Sequence, residues 1–300
     1  MTNFKVWISS FRLRTLPLSI SGIILGSALA YSNQFFNTTI FVFALLTTIS
    51  LQILSNLAND YGDGIKGTDN NNRIGPERAI QSGLISPIQM KYAIITNVLI
   101  LIVLITTLLY FSFGTNEYLN LLTFFTLGII SIYSAIKYTV GNKAYGYYAL
   151  GDLFVLLFFG FLSVMGSYYL YAKNLEINII LPSFSIGLLS VAVINLNNMR
   201  DLVSDKLSNK ITVAGKLGFA NSKKYHFLIL ISSIVFSLLF ILFFYYKPLS
   251  LIVIISYIPI ILHLKKVYSI TKPGEYNDEL KKVAISTFLF SVIHSLIIII

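Results

Sequence analysis

Residues 92–116, YAIITNVLILIVLITTLLYFSFGTN, run from Lys91 to Glu117 without one charged side chain. A helix of roughly 20 apolar residues spans the hydrocarbon of a bilayer, and this run is long enough. It lacks the strict alternation of a barrel strand. In lipid its backbone groups must be satisfied within the segment, so it reads as a spanning helix. Further uncharged windows cover 15–59, 118–136, 153–172, 177–199, 225–246, 248–264 and 283–300. The first holds two spans. The expectation is therefore an all-α, polytopic integral membrane protein with one domain over 1–300 and nine helices, at 15–33, 37–60, 92–114, 118–137, 152–172, 177–199, 225–246, 248–264 and 283–300. Composition agrees: 56% of residues are apolar and only 11% charged, with a mean hydropathy of +0.78, whereas soluble domains are about a quarter charged.

The net charge of +10 would suit a nucleic-acid binder, but its placement says otherwise. All of the 22 Lys and Arg except Lys173 and Lys247 fall before Leu16 or in 60–91, 137–152, 200–224 and 264–282, the segments on one side of a nine-span topology. This is the positive-inside pattern. It predicts a cytoplasmic N-terminus and an extracytoplasmic C-terminus in a bacterial cell membrane, with lipid rather than nucleic acid as the surrounding partner and attraction to anionic headgroups or diphosphate as a secondary effect. Cysteine is absent, which excludes disulfide, thiolate and Cys-ligated metal chemistry. Lys5, Arg12 and Arg14 before an apolar run ending Ser27-Ala28-Leu29-Ala30 imitate a cleavable signal. Gly22 and Gly26, a small-xxx-small pair suited to close helix packing, favour a retained first helix.

One feature repeats. The second predicted helix ends in Gln52, Asn56, Asn59, Asp60 and Asp63; the sixth ends in Asn195, Asn197, Asn198, Asp201 and Asp205. The expected architecture is two tandem four-helix halves plus one helix around a central cavity; parallel repeats of this kind occur among membrane folds. At 100° per residue, Gln52, Asn56, Asn59 and Asp63 fall within about 60° of one another, with Asp60 at the margin, and Asn197, Asn198, Asp201 and Asp205 within about 100°. Clustered carboxylates repel unless cations lie between them, and oxygen ligands without His or Cys suit Mg²⁺, which completes its shell with water and substrate phosphate. Two such clusters facing one another would hold a diphosphate. The same acids could instead cap helix ends and pair with Arg73, Arg200 or Lys206 as ordinary juxtamembrane charges. Recurrence on two helices, with amides on the same faces, favours a site. His226, His263 and His294 show no ligand spacing and read as packing or interface residues.

Asn59-Asp60-Tyr61-Gly62-Asp63 and Asp201-Leu202-Val203-Ser204-Asp205 resemble the two aspartate motifs of the UbiA-type intramembrane prenyltransferases. The stretches NDYGDGIKGTDNNNRIGPERAIQSGLIS (59–86), YTVGNKAYGYYALGD (138–152), VLLFFGFLSVMGSYYL (155–170) and NLNNMRDLVSDKLSNKITVAGKLG (195–218) are similar to the branch that prenylates 1,4-dihydroxy-2-naphthoate in menaquinone synthesis. The likeness covers most of 12–225; the last three helices match in hydropathy only.

The resemblance implies an enzyme that moves a polyprenyl group from its diphosphate to dihydroxynaphthoate with loss of CO₂; 4-hydroxybenzoate or homogentisate as acceptor, or a cation-coupled transporter, are the competing readings. It implies Mg²⁺ ligation by Asn59, Asp60, Asp63, Asp69, Asp201 and Asp205. Asp69 stands in because the family's third acid is Gly67 here. Tyr133 and Lys137 match a Tyr-xxx-Lys element, and Lys210 occupies a phosphate-contacting position. Asp63, Asp201 and Lys137 are thereby expected as catalytic, and Asn56, Arg73, Arg78, Tyr133, Asn197, Asn198 and Lys210 as substrate-binding.

Overall fold

A computed structural model describes residues 4–69 and 74–300. Among them nine helices are long and apolar enough to cross a membrane: α1 Phe4–Ser32, α2 Thr38–Lys66, α3 Pro87–Phe113, α4 Tyr118–Lys137, α5 Gly151–Ala172, α6 Ile177–Arg200, α7 Val213–Phe244, α8 Pro248–Ser269 and α9 Pro273–Ile299. The chain is an all-helical integral membrane protein. Strands are absent among the described residues; a single backbone bridge pairs Tyr148 with Ile211.

Helix limits follow local chemistry. Asn37 caps α2, its side chain accepting from the Thr39 and Ile40 amides, which satisfies donors the first turn leaves open. Ser86 and Gln89 close a reciprocal capping box at α3, with Pro87 as first helical residue. Gly67 ends α2 in the left-handed region at φ 71°, where a Cβ would be strained. α2 thus continues past the expected limit of 60 and carries its whole aspartate motif on one rod. α7 likewise starts earlier than expected, at a Thr212 cap, and kinks at Gly218, φ 74°. α1 breaks at Arg12, whose φ of 50° separates Phe4–Phe11 from Leu16–Ser32.

Lipid tails are as apolar as leucine, so close backbone approach, rather than escape from water, brings these helices together. Gly22 and Gly26 of α1 lie against Ser163 and Ser167 of α5, and a Cβ on Gly160 of α5 would stand 2.8 Å from the Gly187 Cα of α6. Residues 156–166, which include Gly160 and Ser163, wind as a π-helix, a form that tends to mark functional sites. α1, α6 and α9 form the middle of the bundle. α4 lies at its margin: only 17% of its apolar window is buried, against 61% for α1.

Candidate active site

A cavity of about 840 Å³ runs between α1, α2, α3, α4, α5, α6 and α9. Its deep part is apolar, bounded by side chains such as Leu51, Ile105, Leu109, Phe124, Phe158 and Leu170. Its mouth is polar, formed by Asn59, Asp60, Asp63, Arg78, Asn197, Arg200 and Lys210. Both aspartate motifs therefore end at the same mouth.

Cations already occupy the acids there. Arg78 Nη1 donates to Asp63 Oδ2 at 3.1 Å and to the Asn59 carbonyl at 2.9 Å, lies 3.2 Å from Asp69 Oδ2, and brings its Nε to 3.5 Å from Asp60 Oδ1. Arg12, freed from helical geometry by the break in α1, reaches Asp60 Oδ1 at 3.0 Å. On the other motif, Arg200 grips Asp201 through Nε at 2.8 Å and Nη2 at 2.6 Å, and also donates to Asn197 Oδ1 at 2.8 Å and Asn277 Oδ1 at 2.9 Å. Lys210 Nζ lies 3.3 Å from Asp205 Oδ1. The pairing reading of the acids thus holds for Arg200; Lys206 is not among these partners.

Tyr147 stands between the first motif and Lys210. Its hydroxyl donates to Asp63 Oδ1 at 2.9 Å and meets Thr68 Oγ1 at 2.6 Å, while the ammonium groups of Lys66 and Lys210 stand 4.0 and 5.9 Å from its ring centre. Its loop is pinned to the segment after the second motif: Ala149 N donates to Ile211 O at 2.8 Å and Ile211 N to Tyr147 O at 3.2 Å.

Electrostatics follow from burial among these charges. Burial pushes the Asp205 carboxyl up to about 6, with Asp201 and Asp63 adding to the shift against Lys210. Burial opposes the Lys210 ammonium, but Asp205, Asp63, Tyr138 and Asp201 outweigh it and hold its pKa above the ordinary value. Burial likewise pushes Tyr138, at the mouth, up to about 12.

Among the described residues no three carboxylates or imidazoles stand together as a ready cage. The donors nevertheless fit a hard cation held by one or two carboxylates per ion. All are oxygens, and Asp205 Oδ2 and Asn198 Oδ1 are buried without a hydrogen-bond partner among the described residues.

The expected residues divide as follows. Asn59, Asp60, Asp63, Arg78, Asn197 and Lys210 line the cavity, and Asp69, Asp201 and Asp205 lie just behind it, each in contact with a mouth cation. Asn198 is buried on the same helix end. Asn56 turns away: its amide donates to Phe11 O at 2.9 Å and Thr15 Oγ1 at 3.3 Å, tying α2 to the break in α1. Tyr133 and Lys137 are not part of the cavity wall. Tyr133 is 61% exposed on the outer face of α4, with the Lys137 ammonium 6.0 Å from its ring centre. Arg73 lies outside the described residues. Arg12, Tyr147 and Asn277 were not singled out by sequence; Tyr147 falls inside the 138–152 stretch that carries the family likeness.

Comparison with known proteins places this geometry. A family profile described as the UbiA prenyltransferase family matches residues 19–292. The chain is 46% identical over 239 residues to 1,4-dihydroxy-2-naphthoate octaprenyltransferase of Escherichia coli (strain K12), covering 80% of this chain and 77% of that protein. To the Haemophilus influenzae protein of the same name it is 39% identical over 294 residues, covering 97% and 95%. Human UbiA prenyltransferase domain-containing protein 1 is 28% identical over 235 residues, covering 78% and 67%. A solved structure from work on digeranylgeranylglyceryl phosphate synthase in membranes shares the fold, with a TM-score of 0.62 at 18% identity, over 100% of this chain and 99% of that one.

Proposed function

The chain belongs to the UbiA prenyltransferase family, and on that premise we propose that it transfers a polyprenyl group from polyprenyl diphosphate to 1,4-dihydroxy-2-naphthoate, releasing diphosphate and CO₂ and giving demethylmenaquinol. The observation that carries the reading is one cavity with a deep apolar bore and a mouth lined by Asn59, Asp60, Asp63, Arg78, Arg200 and Lys210, with Asp201 and Asp205 of the second motif behind it on Arg200 and Lys210. A prenyl tail suits the bore, and a diphosphate suits the mouth. Relatives at 46% and 39% identity bear the dihydroxynaphthoate name, which supports this acceptor over 4-hydroxybenzoate or homogentisate.

UbiA-family enzymes are generally metal-dependent. Asp60, Asp63, Asp201 and Asp205, with Asn59 and Asp69 beside them, would hold Mg²⁺ here; when bound, the ion neutralises diphosphate charge and makes it a better leaving group. The chain's own cations do related work. Arg78 and Arg200 carry planar forks that match carboxylate and phosphate alike, so an arriving diphosphate competes with the acids for them. Lys210, kept charged by its acidic surroundings, stabilises negative charge where it grows as the C–O bond breaks.

The electron pair of that bond leaves with diphosphate, and the allylic cation left behind sits in the apolar bore, away from water that would capture it. The ring carbon bearing the carboxylate attacks. The C–CO₂⁻ pair then returns to the ring as CO₂ departs, so no ring proton is removed and no general base is required.

Following the positive-inside charge distribution, the mouth and N-terminus face the cytoplasm and the C-terminus faces outward. The test is to incubate membranes containing the protein with labelled polyprenyl diphosphate, dihydroxynaphthoate and Mg²⁺. Prenylated naphthoquinol is expected; its absence while the protein is folded would refute the assignment.

A further inference from the structure

Away from the cavity, α6, α7, α8 and α9 meet around polar side chains that the transfer reaction does not touch. Asn195, His226, His263 and Glu279 are all at most 3% exposed. Asn195 Nδ2 lies 3.3 Å from both Ser222 O and His226 Nδ1. His226 Nε2 lies 2.8 Å from His263 Nε2, and His263 Nδ1 lies 2.5 Å from Glu279 Oε2. Lys282, exposed at the rim, donates to Glu279 Oε1 at 2.7 Å. Ionisable groups inside a membrane bundle are costly and seldom idle.

The proton positions follow from one backbone carbonyl. An oxygen such as Ser222 O only accepts, so the Asn195 atom facing it is its NH₂ group, and that group donates to His226 Nδ1 as well. His226 then carries its proton on Nε2 and donates to His263 Nε2. His263 is left with its proton on Nδ1, which donates to Glu279. Every link is satisfied with both imidazoles neutral, and the direction is single, from Asn195 to the carboxylate.

The chain ends on the helix that carries the second motif. Asn195 precedes Asp201 by six residues, about 9 Å along the axis at 1.5 Å per residue. α9 also grips that helix directly, since Asn277 holds Arg200 and Arg200 holds Asp201. Both grips lie off the helix axis, so each opposes rotation of α6 about that axis, and their separation in height also opposes tilt.

We propose that His226, His263 and Glu279 are positioning residues for the diphosphate end of the substrate: their one-way relay onto Asn195 fixes the rotation of α6 and thereby the aim of Asn197, Arg200 and Asp201 at the cavity mouth. This role rests on the prenyl-diphosphate reading of the mouth. The ionisable groups that face the two imidazoles are each other, Glu279 and Lys282. Protonating either imidazole sets two N–H groups against each other and breaks the relay.

Two measurements test it. The chain has three histidines, so ¹⁵N-histidine spectra of the substrate-free protein in lipid resolve them. The relay requires His226 as the Nε2–H and His263 as the Nδ1–H neutral tautomer. In kinetics, His226→Gln can still accept from Asn195 and donate to His263, and it should stay within about twofold of wild type, whereas His226→Leu removes both bonds and should raise the KM for prenyl diphosphate about tenfold. The acceptor KM should be unchanged in both. Gln and Leu variants that behave alike, an effect confined to the acceptor KM, or the opposite tautomers in a protein that still transfers prenyl groups would overturn the relay. Correct tautomers in a protein with no prenyl transfer would instead count against the proposed function.

Discussion

Arg78 Nη1 stands 3.1 Å from Asp63 Oδ2, and the arginine side chain is only 11% exposed. One guanidinium therefore organises the first motif, since it also touches Asp69 and reaches Asp60. An arginine in the basic segment after α2 looks like a topology charge. Its burial among three carboxylates puts it on the wall of the candidate site.

Arg78→Ala should accordingly be severe. Removing one partner of a buried ion pair leaves charge uncompensated and costs about 3–5 kcal/mol. Folded yield and melting temperature in detergent should fall, and turnover should fall by about 10²-fold or more, the scale of losing one electrostatic stabiliser. Arg78→Lys should restore the charge but not the fork, giving partial recovery of stability and little of turnover.

Tyr147→Phe removes only the hydroxyl that joins Asp63 to Thr68. Loss of a hydrogen bond to a charged group is worth about 1.5–3 kcal/mol. The expected result is a rise of about tenfold or more in the KM for prenyl diphosphate, with the acceptor KM unmoved. An equal rise in both would place Tyr147 at the acceptor instead.

Asp205 gives a pH signature. Its folded carboxyl titrates near 6, above the value of about 3.9 for an unfolded chain. The folded state thus holds this proton more tightly, and metal-free stability should fall as pH rises from about 4 to about 6. Metal binding needs the ionised form. The Mg²⁺ concentration for half-maximal rate should therefore climb roughly tenfold per unit below pH 6 and level off above it. Asp205→Asn should abolish the slope and leave a high Mg²⁺ requirement at every pH.

The contact of Gly160 with Gly187 predicts a packing effect. A methyl group at Gly160 meets backbone 2.8 Å away, which no side-chain rotation relieves. Gly160→Ala should cost about 1–3 kcal/mol and Gly160→Leu should prevent assembly, read as loss of monodisperse protein in detergent. Gly67→Asn, at a left-handed position where an added Cβ meets no described atom within 4 Å, should be mild.

The nine spans were legible because a bilayer demands long uncharged windows, and no tertiary contact alters that demand. Helix ends were less so. α2 continues to Lys66 because Asp60 and Asp63 meet Arg12 and Arg78 instead of ending the helix in water, and Arg12 is 48 residues away in sequence. The motif acids were readable by spacing and resemblance. Their partners were not, since Asn277 lies 77 residues from Arg200 on a helix outside the quoted motif stretches, which looked alike in hydropathy only although the family profile runs on to residue 292. The His226–His263 contact is equally hidden, as a pair 37 residues apart shows no ligand spacing. Tyr133 and Lys137 mark the opposite case: a sequence element matched, and neither side chain lines the cavity, with Tyr133 61% exposed on the outer face of α4.

The fate of the acceptor's carboxylate tests the central claim most directly. With carboxyl-labelled dihydroxynaphthoate, polyprenyl diphosphate and Mg²⁺, label should leave as CO₂ in step with prenylated product, and both should fall together by about 10²-fold or more in Asp63→Asn and in Asp201→Asn. Prenylated product that keeps its label would contradict the dihydroxynaphthoate reaction, and wild-type turnover in both Asp variants would contradict the site.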